Sequence, residues 1–570
     1  MLRFLLFLTF SLRLCAQQTM IREVYDPGTD THVEVLALFT SPSCGGFFPV
    51  RVKIANNLKS DRSIYLNFES TSSYVETAMT SSSFNFTAPA GKTVTRDIMV
   101  PLSPPADTYG NSTLTARLGG SLGTAANSIS SNFGSAQPTA LLSESLFTPH
   151  ASSLDAEISG KYSSSRGNSE FSAKFDPKQL PDDWIAFSGY DSVIMTDTDW
   201  TNVPPGGRNA ILSWVRLGGQ LLIYVKTPTT PASLGLPEES GFGSIALPTL
   251  EKSGRIAREM VNAVARNPAK PTQTSIQSGF VRSWPLQTLF GEQKFRYSLF
   301  VVVLILFGII VGPVNLFVFA KSGQRHKLFI TTPIISLVAS LIMIGMIIVQ
   351  DGFGGSGIRR VLMEVRPDNG LNSAYIHQEQ FSRTGVLTGS DFTILVSAYF
   401  SPVAIAHSRW ARYSDTSAKG VFNLNPTDGK LMASGDWFQS RSEQGHVLSA
   451  VVSTRGRIET TDTPGTYLST FEFPLETLYL LDEAGHWQRA NDIQAGKRFT
   501  FTPIDESMAK SALMGDVVAF GQRNQTFFQS VIKRTGHFIA LTTHAPGIDT
   551  NPSIRWKETR TVITGPVVTH

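Results

Sequence analysis

A chain of 570 residues with 41% hydrophobic side chains is long enough for three or four domains of ordinary size, each able to bury its own core. Its 49 Lys and Arg against 45 Asp and Glu leave a net charge of only +4, scattered along the chain, which excludes an extended nucleic-acid interface. Two cysteines, Cys15 and Cys44, exclude an internal disulfide framework once any leader is removed.

The first ten residues hold one early arginine, Arg3, followed by a short apolar run, and Leu14-Cys15-Ala16 precedes Gln17. That is the layout of a secretory signal peptide over residues 1–16. A lipoprotein with acylated Cys15 is the rival reading, disfavoured because Arg13 and Leu14 sit where small residues are wanted. An uncleaved signal anchor is disfavoured by the shortness of the run. Cys44 is then either a small buried hydrophobe or paired with another chain.

Over residues 17–138 short alternating runs recur between turn residues: His32 to Leu38, Pro49 to Ile54 with Val50, Val52 and Ile54 on one face, and Ser63 to Phe68 with Ile64, Leu66 and Phe68 together. Asn56 to Arg62 supplies a turn, and Pro89-Ala90-Gly91-Lys92 precedes a further run from Thr93 to Val100. Short strands with one buried face predict an immunoglobulin-like β-sandwich, a fold suited to spacing or protein contact.

Residues 139–267 change to alternating strands and helices. Tyr190 to Met195 reads as a buried strand, and Pro204-Pro205 open a helix with Ile211, Trp214 and Val215 on one face. Gly218-Gly219 end that helix, Gln220 to Val225 is the next buried strand, and Ile256, Met260 and Val264 mark a last helix. Apolar strands alternating with helices predict a parallel sheet covered on both faces. On Tyr190 to Met195 and Leu212 to Ile223, this stretch resembles the class I glutamine amidotransferase-like domains, which implies a flavodoxin-like α/β fold. In those enzymes a nucleophilic Cys follows the strand matching Gln220 to Val225 and is served by a His. Here the strand ends Ile223-Tyr224-Val225-Lys226, and no His lies between His150 and the apolar runs, so the resemblance implies a degenerate domain used for binding or packing.

Asp197 and Asp199 follow the strand ending at Met195, where the carboxyl ends of parallel strands collect ligands. As a pair they are candidate ligands for Mg²⁺. Without a third ligand, a loop capping the next helix is the favoured reading.

Residues 268–297 carry Pro268, Pro271 and Pro285 and read as a linker whose Phe280, Trp284, Leu286, Leu289 and Phe290 suit the headgroup level. Two runs of 23 residues without a charge follow, 298–320 and 328–350. As helices each is about 34 Å long, enough for a hydrocarbon core of about 30 Å. The loop between them, 321–327, is basic (Lys321, Arg325, His326, Lys327) and predicts a cytoplasmic turn, which puts both flanking regions outside. Lys294 and Arg296 before the first run oppose this mildly. With no charge and no polar stripe inside the runs, the hairpin reads as an anchor.

Gly352 to Gly357 matches G-x-G-x-x-G, but no βαβ unit surrounds it, so a flexible exit is expected. In residues 351–570 strands dominate, at Val361 to Val365, Phe392 to Phe400, Leu478 to Leu481, Arg498 to Thr502 and His537 to Thr543, and an all-β region is predicted. His377, His407, His446, His486, His537 and His544 are dispersed and read as surface or turn residues, without a zinc spacing. No G-x-S-x-G elbow or P-loop occurs.

The order of parts resembles a group of bacterial multi-domain membrane proteins of uncharacterised function, on Val311-Gly312-Pro313-Val314-Asn315, Gly435 to Arg441 and Arg455-Gly456-Arg457. The expectation is a multi-pass inner-membrane protein with both large domains periplasmic, no cofactor, and the lipid bilayer and envelope proteins as partners. Three functions follow in order: a non-enzymatic envelope protein presenting outer binding domains, an accessory subunit of an ABC-type transport complex in which Pro313 and Asn315 pack against a partner, and a metal-dependent hydrolase using Asp197 and Asp199.

Overall fold

The computed structural model describes residues 18–569 apart from 41, 44, 73–77, 105–111, 132–138, 162–171, 251–254, 266–283, 292–296, 321, 369–370, 407, 409, 412, 414–419 and 428. The expected signal peptide, Cys15, Cys44, Phe280, Lys294, Arg296 and Lys321 lie outside the described residues. Among the described residues the strands fall into four sheets.

The first strands are β1 (Gln18–Asp26), β2 (Thr31–Ala37), β3 (Phe47–Asn56), β4 (Arg62–Ser72), β5 (Ala78–Ala88), β6 (Lys92–Pro101), β7 (Ser112–Gly120) and β8 (Ala125–Ser131). The period of two sets one face inward. Val33, Val35, Val50, Val52 and Ile54 from the sheet β1-β2-β3-β6 pack against Ile64, Leu66, Phe68, Leu114, Ala116 and Leu118 from β4 and β7. Two sheets sharing one apolar core make a β-sandwich.

The next unit holds β9 (Ala140–Ser143), α1 (Glu144–Lys161), β10 (Ser172–Phe175), β11 (Ser192–Thr196), α2 (Asp197–Asn202), α3 (Pro205–Arg216), β12 (Gln220–Tyr224), β13 (Ser244–Ala246) and α4 (Ile256–Ala265). Its strands are all parallel, in the order β10-β9-β11-β12-β13. Near-continuous apolar strands need cover on both faces. Leu154, Ile158, Met260 and Val264 of α1 and α4 cover one face over Leu142, Ile194 and Leu222. Ile211, Trp214 and Val215 of α3 cover the other over Leu141, Val193 and Leu221. Pro205 opens α3 and Gly218, at φ +111°, turns the chain out of it. A Cβ at Gly218 would also come within 2.7 Å of Phe527, from far along the chain.

Trp284 and α5 (Pro285–Phe290) follow. Trp284 and Leu286 are buried in the core beneath the parallel sheet, so the headgroup placement expected for them is replaced by packing. Leu289 of that short helix is largely exposed, at 57%.

Two apolar helices come next. The first is α6 (Tyr297–Ile309), which continues as a π-helix over Ile310–Phe319, and the second is α7 (Leu328–Asp351). Pro313 brings no N–H to the i→i−4 ladder, which accounts for the widened turns around it. Both helices are long and apolar enough to cross a membrane, and the rest of the chain leaves them almost uncovered. Asn315 is buried between them: its Nδ2 donates to Thr332 Oγ1 at 2.9 Å and its Oδ1 accepts from Thr331 Oγ1 at 2.6 Å. Its amide is therefore satisfied inside the hairpin, where a partner's helix had been expected.

Gly352, at φ +73°, caps α7, and the turn beyond it is held by Gly354 N–H to Val386 O and Gly355 N–H to Ser553 O, both at 2.9 Å. The expected flexible exit is a pinned turn.

The remaining strands are β14 (Gly355–Asp368), β15 (Leu371–Thr384), β16 (Phe392–Ile394), β17 (Ala398–Val403), β18 (Gly420–Thr427), β19 (Lys430–Gly435), β20 (Glu443–Ser453), β21 (Ile458–Thr460), β22 (Thr466–Ser469), β23 (Leu475–Leu481), β24 (Trp487–Ile493), β25 (Arg498–Thr500), β26 (Thr502–Pro503), β27 (His537–Thr542) and β28 (Ile554–Val568). Twelve join one large sheet, nine in the order β17-β20-β15-β14-β28-β27-β23-β24-β26 and β21, β22 and β25 beside β28. Three do not. β18 lies parallel to β5, and β19 and β16 extend beyond it, so the second sheet of the sandwich runs β16-β19-β18-β5-β4-β7-β8. Ser83 N–H donates to Asn425 Oδ1 at 2.7 Å across that junction.

The region is not all-β. Between β26 and β27 stand α8 (Glu506–Val517) and α9 (Gln522–Val531), which cover Leu362, Tyr479, Ile539 and Val562 of the large sheet. Asp505 caps α8, its carboxylate accepting from Ser507 N–H at 2.8 Å. The helical period is faint because α8 buries only Ala509, Leu513 and Val517, and the inner face of α9 includes Asn524.

Candidate functional site

Ligands of open parallel sheets gather beyond the carboxyl ends of the strands, where the strand order reverses. Here the reversal lies between β9 and β11, and a groove of about 290 Å³ opens there beside Glu144, Ser145, Asp176, Lys178, Asp199 and Asn202. Asp199 is the inner carboxylate. Its Oδ2 accepts from Ser143 Oγ at 2.7 Å, Ser145 Oγ at 2.5 Å, Thr196 Oγ1 at 2.7 Å and Thr196 N–H at 3.1 Å. With Thr196 Oγ1 accepting from Asp199 N–H in return, these residues form a capping box at the start of α2. Burial pushes the Asp199 pKa up, but the donations from Ser145, Ser143 and Thr196 outweigh it and hold the carboxyl below its ordinary range.

Asp197 takes no part in this. It is half-buried at the first turn of α2, and its Oδ1 accepts from Thr198 N–H at 2.7 Å. The two candidate metal ligands are thus separated by role. Among the described residues no group of three or more His, Cys, Asp or Glu side chains could hold a metal ion. A carboxyl held below its ordinary range is a weaker base than a free one.

At the end of β12, Val225 N–H donates to Pro248 O at 2.9 Å and Val225 O accepts from Leu250 N–H at 2.8 Å. The end of β12 is thus stitched through its backbone to the segment at Pro248 to Leu250.

Behind the parallel sheet lies a seam of buried charges that sequence reading passed over. Glu379 of β15 is 1% exposed. Its two oxygens accept from Gly521 N–H at 3.0 and 2.9 Å, Asn524 Nδ2 at 2.6 Å and Trp284 Nε1 at 2.9 Å. Burial raises its pKa against those donations and the charge of Arg523. Arg523 is itself lowered to about 10 by burial, despite Tyr399, Glu379 and Asp191 nearby, and its Nη2 donates to Leu217 O at 3.3 Å at the end of α3. His377 is held neutral by burial and by the Arg523 charge, with Nδ1 2.9 Å from Ser449 Oγ.

A second cluster ties the loop before β13 to the large sheet. Arg366 pairs with Glu239 and Glu364, both at 2.6 Å, Arg534 reaches Glu364 at 2.9 Å, and His537 Nε2 lies 2.9 Å from Glu239. Paired charges are the condition on which ionic groups are buried at all.

His377, His446 and His537 are therefore core residues, where surface and turn positions had been expected. His486 and His544 are exposed, and His407 lies outside the described residues. The signal available in the sequence was the polar run His377-Gln378-Glu379-Gln380 inside a strand, which requires buried partners.

No family model and no curated protein matches the chain. Among solved structures it is similar to a calcium-binding mutant of Bacteroides uniformis beta-glucuronidase 2, at 11% identity and a TM-score of 0.15, over 36% of this chain and 24% of that one. It is also similar to Bacteroides uniformis beta-glucuronidase, at 9% identity and a TM-score of 0.16, over 39% and 31%. The chain thus spans about a quarter to a third of the length of those enzymes, and likeness this slight assigns neither fold nor activity.

Proposed function

We propose that the chain is a non-enzymatic, membrane-anchored envelope protein whose outer parts form a binding surface for other proteins. Supporting this, numbered within its own unit the parallel sheet has strand order 2-1-3-4-5, the flavodoxin-like order. That agrees with the amidotransferase resemblance, while the strand Gln220 to Val225 runs on into Lys226 with no Cys. The observation that carries the reading is Asp199, the inner carboxylate of the switch-point groove, spent on capping α2. The apolar helices anchor the chain in the inner membrane, residues 1–16 act as the leader, loop 321–327 is cytoplasmic, and both outer parts are periplasmic. A periplasm-active reporter fused at His570 is expected to work, and one inserted in the 321–327 loop to stay silent. The reverse pattern overturns the placement.

The accessory-subunit reading is favoured by one feature, the apolar outer faces of α6 and α7, which are open to contact with other spans. Purification in mild detergent decides between the two. An ATPase and a permease recovered in fixed ratio would replace the first reading with the second. For the hydrolase reading, full phenotype in the double variant Asp197→Ala, Asp199→Ala ends it.

A further inference from the structure

Where α7 leaves the apolar hairpin, a groove of about 440 Å³ opens between the helix end and the outer domain. Its walls include Phe290, Asp351, Phe353, Arg383 and Lys557. The Phe290 ring carries two cations: Arg383 Cζ lies 5.0 Å from its centroid and Lys557 Nζ lies 5.1 Å away. Arg383 spends Nε and Nη2 on Glu443 and on Gly291 O, which leaves Nη1 without a protein acceptor among the described residues. Lys557 is exposed, and no ion pair among the described residues engages it. The one carboxylate in the wall, Asp351, is neutralised by Arg441 at 2.6 Å. The groove therefore keeps an unspent positive charge.

Its position tells what that charge meets. Ile344, 52% exposed, lies two turns before Asp351 on the same face of α7, and Phe353, 70% exposed, stands in the groove wall. An apolar wall running into a cationic pocket, with aromatic rings between them, has the profile of a lipid from acyl chain to phosphate. The volume falls within the usual range for a ligand pocket, about 300–1,000 Å³.

We infer that this groove holds the phosphate and glycerol of an anionic phospholipid of the outer leaflet, with Lys557 and Arg383 on the phosphate and the acyl chains along the Ile344 face of α7. The inference rests on the membrane anchorage proposed above. The lipid would seal the junction between hairpin and outer domain.

The test uses the full chain in neutral detergent, titrated with phosphatidylglycerol and read by native mass spectrometry. Lys557→Glu is expected to weaken lipid retention about fivefold or more, the scale of one basic residue at a membrane surface. Lys510→Glu, on the exposed side of α8, is expected to leave retention unchanged, and millimolar inorganic phosphate is expected not to displace the lipid. Equal retention in wild type and Lys557→Glu overturns the site, as does an equal loss in Lys510→Glu. Displacement by inorganic phosphate overturns the lipid in favour of a free anion. Flotation with vesicles separates the two readings. If the wild type does not float, the anchor falls and the lipid site with it; if it floats while phosphatidylglycerol retention is insensitive to Lys557→Glu, the lipid site alone falls.

Discussion

Phe422, from the chain after the hairpin, stands in register beside Thr80, from the chain before it, in a parallel pair of strands. Phe422 is 3% exposed, and its ring meets Trp437 edge-on at 4.9 Å. Phe422→Ala should cost about 3–5 kcal/mol, measured by thermal unfolding. Hydrogen exchange should rise in β4 and β5 as well as in β18 and β19. Loosening confined to residues 420–435 would show that the shared sheet does not act as a unit.

Glu379→Ala leaves Arg523 buried without its carboxylate partner and should destabilise by about 3–5 kcal/mol. Glu379→Gln keeps one acceptor and should cost less. The folded pKa of Glu379 is raised by burial, so its contribution to stability is fully present below the ordinary carboxylate range and is lost as pH rises through the folded value. Chemical unfolding from about pH 4 to pH 7 should thus favour wild type over Glu379→Gln most at the acid end. A constant difference across that window would contradict the assignment.

Glu239 titrates in the opposite sense. Burial raises its pKa, but the hydrogen bond from His537 and the charge of Arg366 win and bring it to about 2. Its contribution is present above the ordinary glutamate value near pH 4.3 and is lost as pH falls toward about 2. Proteolysis of the loop at residues 235–243 should accelerate over that interval in wild type. In Glu239→Gln it should be fast already at neutral pH and change little on acidification.

Asp199→Ala removes a cap and strands the hydroxyls of Ser143, Ser145 and Thr196, and should cost about 1–2 kcal/mol. Asp197→Ala, which loses only local bonds to Thr198, should stay within about 0.5 kcal/mol of wild type. Equal losses at the two positions would mean that they act together after all.

The hairpin was legible in the sequence because length and the absence of charge are local properties. The strand, helix, strand order around Tyr190 to Val225 was legible for the same reason: Pro205, the apolar stripe of α3 and Gly218 carry their own signals. α8 was not, since three small or aliphatic residues four apart, Ala509, Leu513 and Val517, make too narrow a stripe in a polar segment. The helix start at Asp505 and Glu506 was the usable cue. The pairing of β18 with β5 was beyond reach, because register between distant strands leaves no mark on either. At the candidate site, the helix cap at Asp197-Thr198-Asp199 was readable from Thr196 and Asp199 three apart, and the partners of Glu379 were not.

The shared sheet also sets a timetable. Ser81 and Asn423, bonded to each other across it, are 342 residues apart, which at about 5–20 residues per second of synthesis is roughly 17–70 s. For that interval β5 has a bare edge, the kind that recruits foreign strands. The amino-terminal sandwich therefore completes only after both apolar helices have been made, and a chain stalled between them is a substrate for chaperones or proteases. The sheet shared by β5 and β18 thus closes only when the chain on both sides of the hairpin is present.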